Sequence, residues 1–276
     1  MGITVFKGLG SQLKVASSFR RPAVLLDNCA LQRIAESEDL SGKMVNTLFD
    51  VDGTVCLSGM NPAEMSQGDF DKHAIAVDRF LSKIFTHLFF VDVAKALQNT
   101  SKVGDPKPTP PADQETAEDV AIRYWSGGQA NSGASDTQSG LFRHIWSQRE
   151  RVVPELKGTT MAAANQLLER RSDAAVIDKL TAQKYTADSH RLFAVFSELL
   201  RDLMIDPASK IPPNHTIDVM HATLGMVYCD YVVVDRGWAH RCRIARQRLH
   251  AFADTLALPY TANSEEISQM MDDMAS

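Results

Sequence analysis

Little in this chain could cross-link or anchor it. Its 276 residues include four cysteines, Cys29, Cys56, Cys229 and Cys242, and none stands in a CxxC pair. That scatter argues against a zinc ribbon or a disulfide framework and makes a reducing compartment, the cytoplasm, the expected location. No apolar run approaches the ~20 residues that cross a bilayer. The N-terminal stretch with Lys7, Lys14, Arg20 and Arg21 lacks the apolar segment of a signal peptide. Internal repeats are absent. Net charge is −5, which excludes a broad basic coat for nucleic acid but not a local basic patch.

What is present is ordinary for a globular chain: 44% hydrophobic and 23% charged residues, enough to bury a substantial core. Short apolar runs alternate with helix-period segments. "PAVLL" (22–26), "TVCLS" (54–58), "YVVV" (231–234) and "LPYT" (258–261) predict strands. Helical spacing predicts helices over 74–88, 190–205, from about Thr216, and over 238–254, with Asn61 and Asn263 as N-caps and Glu266 completing the second cap. The expectation is an α/β fold, a Rossmann-like αβα sandwich with a parallel sheet. From Asn99 the composition shifts. "KVGDPKPTPPADQ" is Pro-rich, "SGGQANSGASDTQSG" is Gly/Ser-rich, and helical patterns resume over 141–205. Residues 99–205 therefore read as a loop-rich, largely helical insertion between 1–98 and 206–276, and as the candidate surface for a protein partner or self-association.

Ligands of an open parallel sheet bind beyond the carboxyl ends of its strands. Asp27 directly follows one predicted strand and Asp235 another. Helices between parallel strands begin at that same edge, which brings in Glu64 and Asp218 from first helical turns. Carboxylates gathered there repel unless a cation neutralises them. Oxygen ligands suit Mg²⁺ or Mn²⁺. Asn28 is placed to hydrogen-bond a ligating carboxylate, and His221, one helical turn from Asp218, to pack or hydrogen-bond beside the site.

In order, "VLLDNCAL", "NPAEM", "DVMHA" and "CDYVVVDRGW" resemble the four acidic motifs of PIN-domain nucleases. The resemblance implies that Asp27, Glu64, Asp218 and Asp235 bind divalent metal and are catalytic. The implied reaction is hydrolysis of a phosphodiester in RNA, or in DNA for some branches, by water that the metal activates. It gives an endoribonuclease as the expected function.

Two other readings compete. "DVDGTV" (50–55) resembles the DxDGT[LV] loop of haloacid dehalogenase-like phosphatases, with Asp50 as nucleophile and Asp52 as proton donor. That reading needs a strand ending at Asp50, and "VNTLF" is poor material for one, so an Asp-Gly turn is the simpler expectation. The third reading is a metal-poor, PIN-like binding module. The helix after Asp235 is rich in arginine, and Arg236, Trp238 and Arg241 are its candidate nucleic-acid contacts. Arg143, Trp146, Arg149 and Arg151 form a second cationic-aromatic cluster with no assigned role.

Overall fold

The structure is a computed structural model that describes residues 2–7, 13–68, 71–130 and 140–276. An antiparallel hairpin, β1 (Ile3–Lys7) and β2 (Leu13–Ser17), precedes the sheet. The sheet itself has five parallel strands: β3 (Ala23–Leu26), β4 (Thr54–Ser58), β5 (Leu88–Val91), β6 (Tyr231–Val234) and β7 (Leu258–Thr261), in the order β5-β4-β3-β6-β7. The doubly wound α/β architecture expected from the alternating runs is present.

Successive side chains on a strand point to opposite faces, and the core divides accordingly. Ala23, Leu25, Cys56, Phe89, Val232 and Val234 belong to one buried cluster, whereas Val24, Leu26, Val55, Leu57, Phe90 and Val233 belong to the other. Both faces are covered, so the strands are apolar throughout rather than alternating.

The helices on the second face are α1 (Asn28–Glu36), α2 (Glu38–Val51), α3 (Met60–Met65) and α4 (Asp71–Lys83), with the C-terminal helix described below. A single turn, α5 (Val93–Ala96), then leads into residues 99–205, which carry α6 (Gln114–Ala130), α7 (Leu141–Ser147), α8 (Arg149–Arg171), α9 (Ala174–Ala182) and α10 (Arg191–Ile205). Val103 and the buried side of α10 join the first core cluster, while Ala117, Val120, Leu141 and Phe142 join the second. The chain closes with α11 (His215–Tyr228), α12 (Arg236–Arg248) and α13 (Ser264–Ala275). The first two lie on the first face and α13 on the second, capped as expected by Asn263, which accepts the Glu266 N–H. Among the described residues no helix is long and apolar enough to cross a membrane.

Several local expectations need correction. The helix expected over 74–88 stops at Lys83. A short 3₁₀ turn, Phe85–His87, intervenes and "LFFV" becomes the edge strand β5. All of its residues are buried, so no period-2 alternation marked it as a strand. The Gly/Ser-rich stretch does not open as a loop, since α6 runs on through Ala130, and residues 131–139 lie outside the described residues. Asn61 is not an N-cap. It sits inside α3, whose N-cap is Gly59, and Glu64 falls late in that short helix rather than in its first turn.

The amino edge of the sheet has its own fastening. Asp230, just before β6, accepts the Ala23 N–H at 2.9 Å and pairs with Arg21 at 2.7 Å and Lys107 at 3.1 Å. It lies at the end of the sheet opposite the carboxyl-edge acids. The outer rim of β7 is also closed. Pro259 offers no N–H, and the Thr261 N–H is taken by Glu266 at 2.7 Å.

Helix α11 packs closely on the sheet because Gly225 faces Val232. A Cβ at Gly225 would stand 2.8 Å from the Val232 Cβ and also meet its Cγ2. Val232 is a fully buried, β-branched residue with no free rotamer. Gly225→Ala is therefore expected to cost about 1–3 kcal/mol of stability by overpacking, read as a lower melting temperature. A neutral result would mean that α11 can move outward without cost.

Candidate metal centre

Three chain segments meet at the carboxyl edge. β3 ends at Leu26 and Asp27 takes the N-cap position of α1, yet its side chain makes no capping hydrogen bond. The carboxylate is turned to the site, where Oδ1 accepts from Nδ1 of His221 at 2.9 Å and Oδ2 from the Cys29 thiol at 3.4 Å. Asp27 is 6% exposed and His221 wholly buried. The other imidazole nitrogen, Nε2, lies 3.2 Å from the Ser58 hydroxyl at the end of β4.

Glu64 arrives on α3 and is held by Asn28, whose Nδ2 donates to Glu64 Oε2 at 2.8 Å and to the Asn61 carbonyl at 3.0 Å. Asn61 is the hub of this turn. Its Oδ1 accepts the Ser58 N–H at 2.8 Å, and its Nδ2 donates to the Leu26 carbonyl at 3.3 Å and to Asn28 Oδ1 at 3.2 Å. One amide thus ties the ends of β3 and β4 to Asn28, and through Asn28 to Glu64. Sequence reasoning missed this role, and that of Ser58, because Asn61 before Pro62 matches the ordinary spelling of a helix cap.

Ligand atoms of Asp27, Glu64 and His221 lie within 4.8 Å of one another, a grouping that could hold a metal ion. Both imidazole nitrogens face hydrogen-bond partners, so His221 orients Asp27, and the carboxylate oxygens are the atoms left free to meet a cation. Asp218 belongs to the same electrostatic cluster. Burial pushes its pKa up to about 7, helped by the charges of Asp27, Glu64 and Asp235, and the Trp238 side-chain hydrogen bond only partly opposes them. Glu64 is likewise raised, by burial and then by Asp27. Burial also works against ionised Asp27, but the hydrogen bond and charge of His221, with the Asn28 backbone N–H, outweigh it and hold its pKa low. His221 is raised: burial opposes its protonation, but Asp27, Glu64 and Asp218 favour it. A buried set of hard oxygen donors that repel one another fits a divalent cation.

Asp235 stands at the same edge and has a structural role of its own. It caps α12 by accepting the Trp238 N–H at 2.9 Å, and its charge reaches Asp218 and Cys29. Like Asp218, it lies outside the three-residue grouping. Trp238 is 3% exposed, so it does not present an open face to a base. It is packed edge-on to His215, with the Arg241 guanidinium 5.6 Å from its ring centre. Of the basic helix, Arg243 binds Glu266, Arg246 binds three carbonyls and Arg248 binds Asp202. Arg236 is exposed and Arg241 half-buried at the helix start, beside the acids.

Asp50 and Asp52 lie elsewhere. Residues 45–49 are helical, Asp50 is in the last turn of α2, and Asp52 adopts the left-handed conformation at φ 50° that ends that helix. Both precede the amino end of β4, whereas Asp27 follows the carboxyl end of β3, its parallel neighbour. The phosphatase-like loop is a helix terminus at the wrong edge of the sheet, and the exposed Asp52 pairs there with Arg20.

Comparison with known proteins finds no matching family model, no matching curated protein and no matching solved structure.

The raised pKa of Asp218 gives a pH signature. A carboxyl that titrates near 7 in the folded chain, against 3.8 ordinarily, favours folding fully at low pH and loses that contribution as pH rises toward 7 and above. In chelator, Asp218→Asn should raise the melting temperature most above pH 7, and the gain should shrink as pH falls toward 4. A pH-independent gain would remove the proposed repulsion.

Proposed function

We propose that this protein is a divalent-metal-dependent nuclease of PIN-like type, an endoribonuclease that hydrolyses phosphodiester bonds. The observation that carries this reading is the convergence of Asp27, Glu64 and His221, from three distant parts of the chain, within 4.8 Å of one another, with the half-buried Asp218 close enough to feel the charges of both acids. Its place beyond the carboxyl ends of the strands is where open α/β sheets bind ligands. In this reading Asp27, Glu64 and Asp218 hold Mg²⁺ or Mn²⁺, and Asp235 adds charge from its cap. When bound, such a cation neutralises developing charge on phosphate oxygens and lowers the pKa of water at the site.

The chain's own residues do the rest. His221 fixes the orientation of Asp27, and Asn28 fixes that of Glu64, so neither carboxylate has to be ordered when substrate arrives. The near-7 titration of Asp218 belongs to the cation-free site, so binding of a cation there would release its proton and tighten as pH rises toward 7. Arg236 and Arg241 are the nearby cations for the substrate backbone, and Trp238 supports Asp218 and Arg241 rather than stacking on a base.

Purified protein should cleave RNA with Mn²⁺ or Mg²⁺ and not in chelator. Asp27→Asn should abolish cleavage while the fold persists, because it removes a ligand charge at constant shape. Asp50→Asn should leave the rate unchanged. His221→Gln should lower activity by about 10–100-fold, the scale for losing a residue that orients a ligand, with partial recovery at higher metal concentration. Wild-type protein that cleaves RNA with no divalent ion would overturn the proposal. So would release of phosphate from a small ester that survives Asp27→Asn and is lost in Asp50→Asn.

A further inference from the structure

The 99–205 insertion holds a cavity that shares no residue with the acidic centre. It lies where α8, α9 and α10 meet and has a volume of about 210 Å³. Leu167 of α8, Val176 and Leu180 of α9, and Phe193, Phe196 and Leu200 of α10 line it. The side chains of α10 stand three, four and seven positions apart and those of α9 four apart, so each helix turns one apolar face inward.

The packing of these faces is incomplete. Helix α9 has nine residues and buries none of them fully. A helix that short gains little from its own hydrogen bonds and relies on the packing of its apolar face. Yet Phe193 remains 46% exposed, and Val176, Leu180 and Phe196 are only half-buried. Several apolar side chains thus turn to a space that the chain's own atoms leave open. Each would gain from a guest that removed it from water.

The charges around the cavity select the guest. Arg170 and Lys179 line it and are both exposed, which places them at its mouth. Among the described residues no acid lines the cavity, and neither cation has a side-chain hydrogen bond or ion pair. The neighbouring hollow beside Tyr185 is different, because its Arg201 and Arg248 are already paired with the buried Glu198.

We propose that this cavity is a binding site for a medium-chain monocarboxylic acid. The alkyl chain enters between α9 and α10, against Val176, Leu180, Phe193 and Phe196, and the carboxylate pairs with Arg170 and Lys179 at the mouth. Size sets the chain length. At ~30 Å³ for a water-sized group, the cavity holds about seven such groups, which matches the seven alkyl carbons of octanoate. The inference stands apart from the nuclease reading, since no residue of the acidic centre enters it.

Calorimetric titration of the full chain with straight-chain carboxylates tests the site. From butanoate to octanoate each added methylene should tighten binding about fourfold, and decanoate should gain little more because the cavity is full. Octylamine should bind about tenfold more weakly than octanoate, since its charge meets like charges. Arg170→Ala/Lys179→Ala should weaken octanoate about fivefold, the scale of two exposed ion pairs, and leave octanol unchanged. Val176→Phe should fill the space and remove octanoate binding. Should that variant lower the melting temperature, the two exposed cations carry the test alone. Octylamine binding as tightly as octanoate, or affinity independent of chain length, overturns the ligand assignment. Octanoate binding that survives both sets of substitutions overturns the site. Absence of octanoate binding at millimolar concentration overturns the proposal, and dimerisation that Phe193→Ser abolishes would then give this face to a second copy of the chain.

Discussion

The hydrogen bond between His221 and Asp27 joins residues 194 positions apart, and the arrangement of the acidic centre follows from it. An ionised carboxylate at 6% exposure is costly to bury unless something answers its charge. His221 does so from α11 while its other nitrogen reaches Ser58 at the end of β4. One imidazole thus connects β3, β4 and α11 at a single point. Because Asp27 stays charged, the burden of repulsion moves to Glu64 and Asp218, whose pKa values rise. The folded chain is left with a local excess of negative charge that a divalent cation would relieve. A site of this kind lowers the stability of the cation-free protein and makes ligand and fold mutually dependent.

The two edges of the sheet divide the work. At the amino edge, Asp230 is satisfied within the chain by Arg21, Lys107 and the Ala23 N–H. At the carboxyl edge the acids are held by His221, Cys29, Asn28 and Trp238, and no arginine or lysine bonds them among the described residues. Residues of the same type therefore serve opposite ends, and what distinguishes them is whether cations of the chain lie in reach. The cations near the carboxyl edge, Arg236 and Arg241, stand at the start of α12, next to the acids rather than bonded across them.

Much of this was legible in the sequence. "PAVLL", "TVCLS" and "YVVV" are unbroken apolar runs ending at a polar residue, and a strand buried on both faces can hardly be written otherwise. The placing of Asp27 and Asp218 at one rim followed from parallel connections alone. Other features were illegible for identifiable reasons. "LFFV" continues the helical spacing of the residues before it, and only a break after Lys83 separates the two. The Asp-Gly turn before "TVCLS" is present at Asp52, but the helix α2 that leads into it was not read from "VNTLFDV". Asn61 and Ser58 act through partners more than 30 positions away, Asn28 and His221, and local spacing carries no trace of such bonds. The N-cap bond of Asp235 to Trp238 was likewise not foreseen, although an Asp directly before a helix is the usual spelling of such a cap.

The closed outer rim of β7 reaches beyond the single chain. An exposed edge strand ordinarily offers its unpaired N–H and C=O groups to another molecule. Here the outward positions have been blunted, by a proline at 259 and by Glu266 folding back on Thr261. The far edge is covered too, because Asp92 and Asp113 exchange backbone hydrogen bonds with Pro111 and Phe90 around β5. Both rims therefore offer few free N–H groups for fusing the sheets of two copies into one continuous ribbon. The same blunting is the device by which sheet proteins limit edge-to-edge growth into fibrils, here around a sheet that is apolar on both faces.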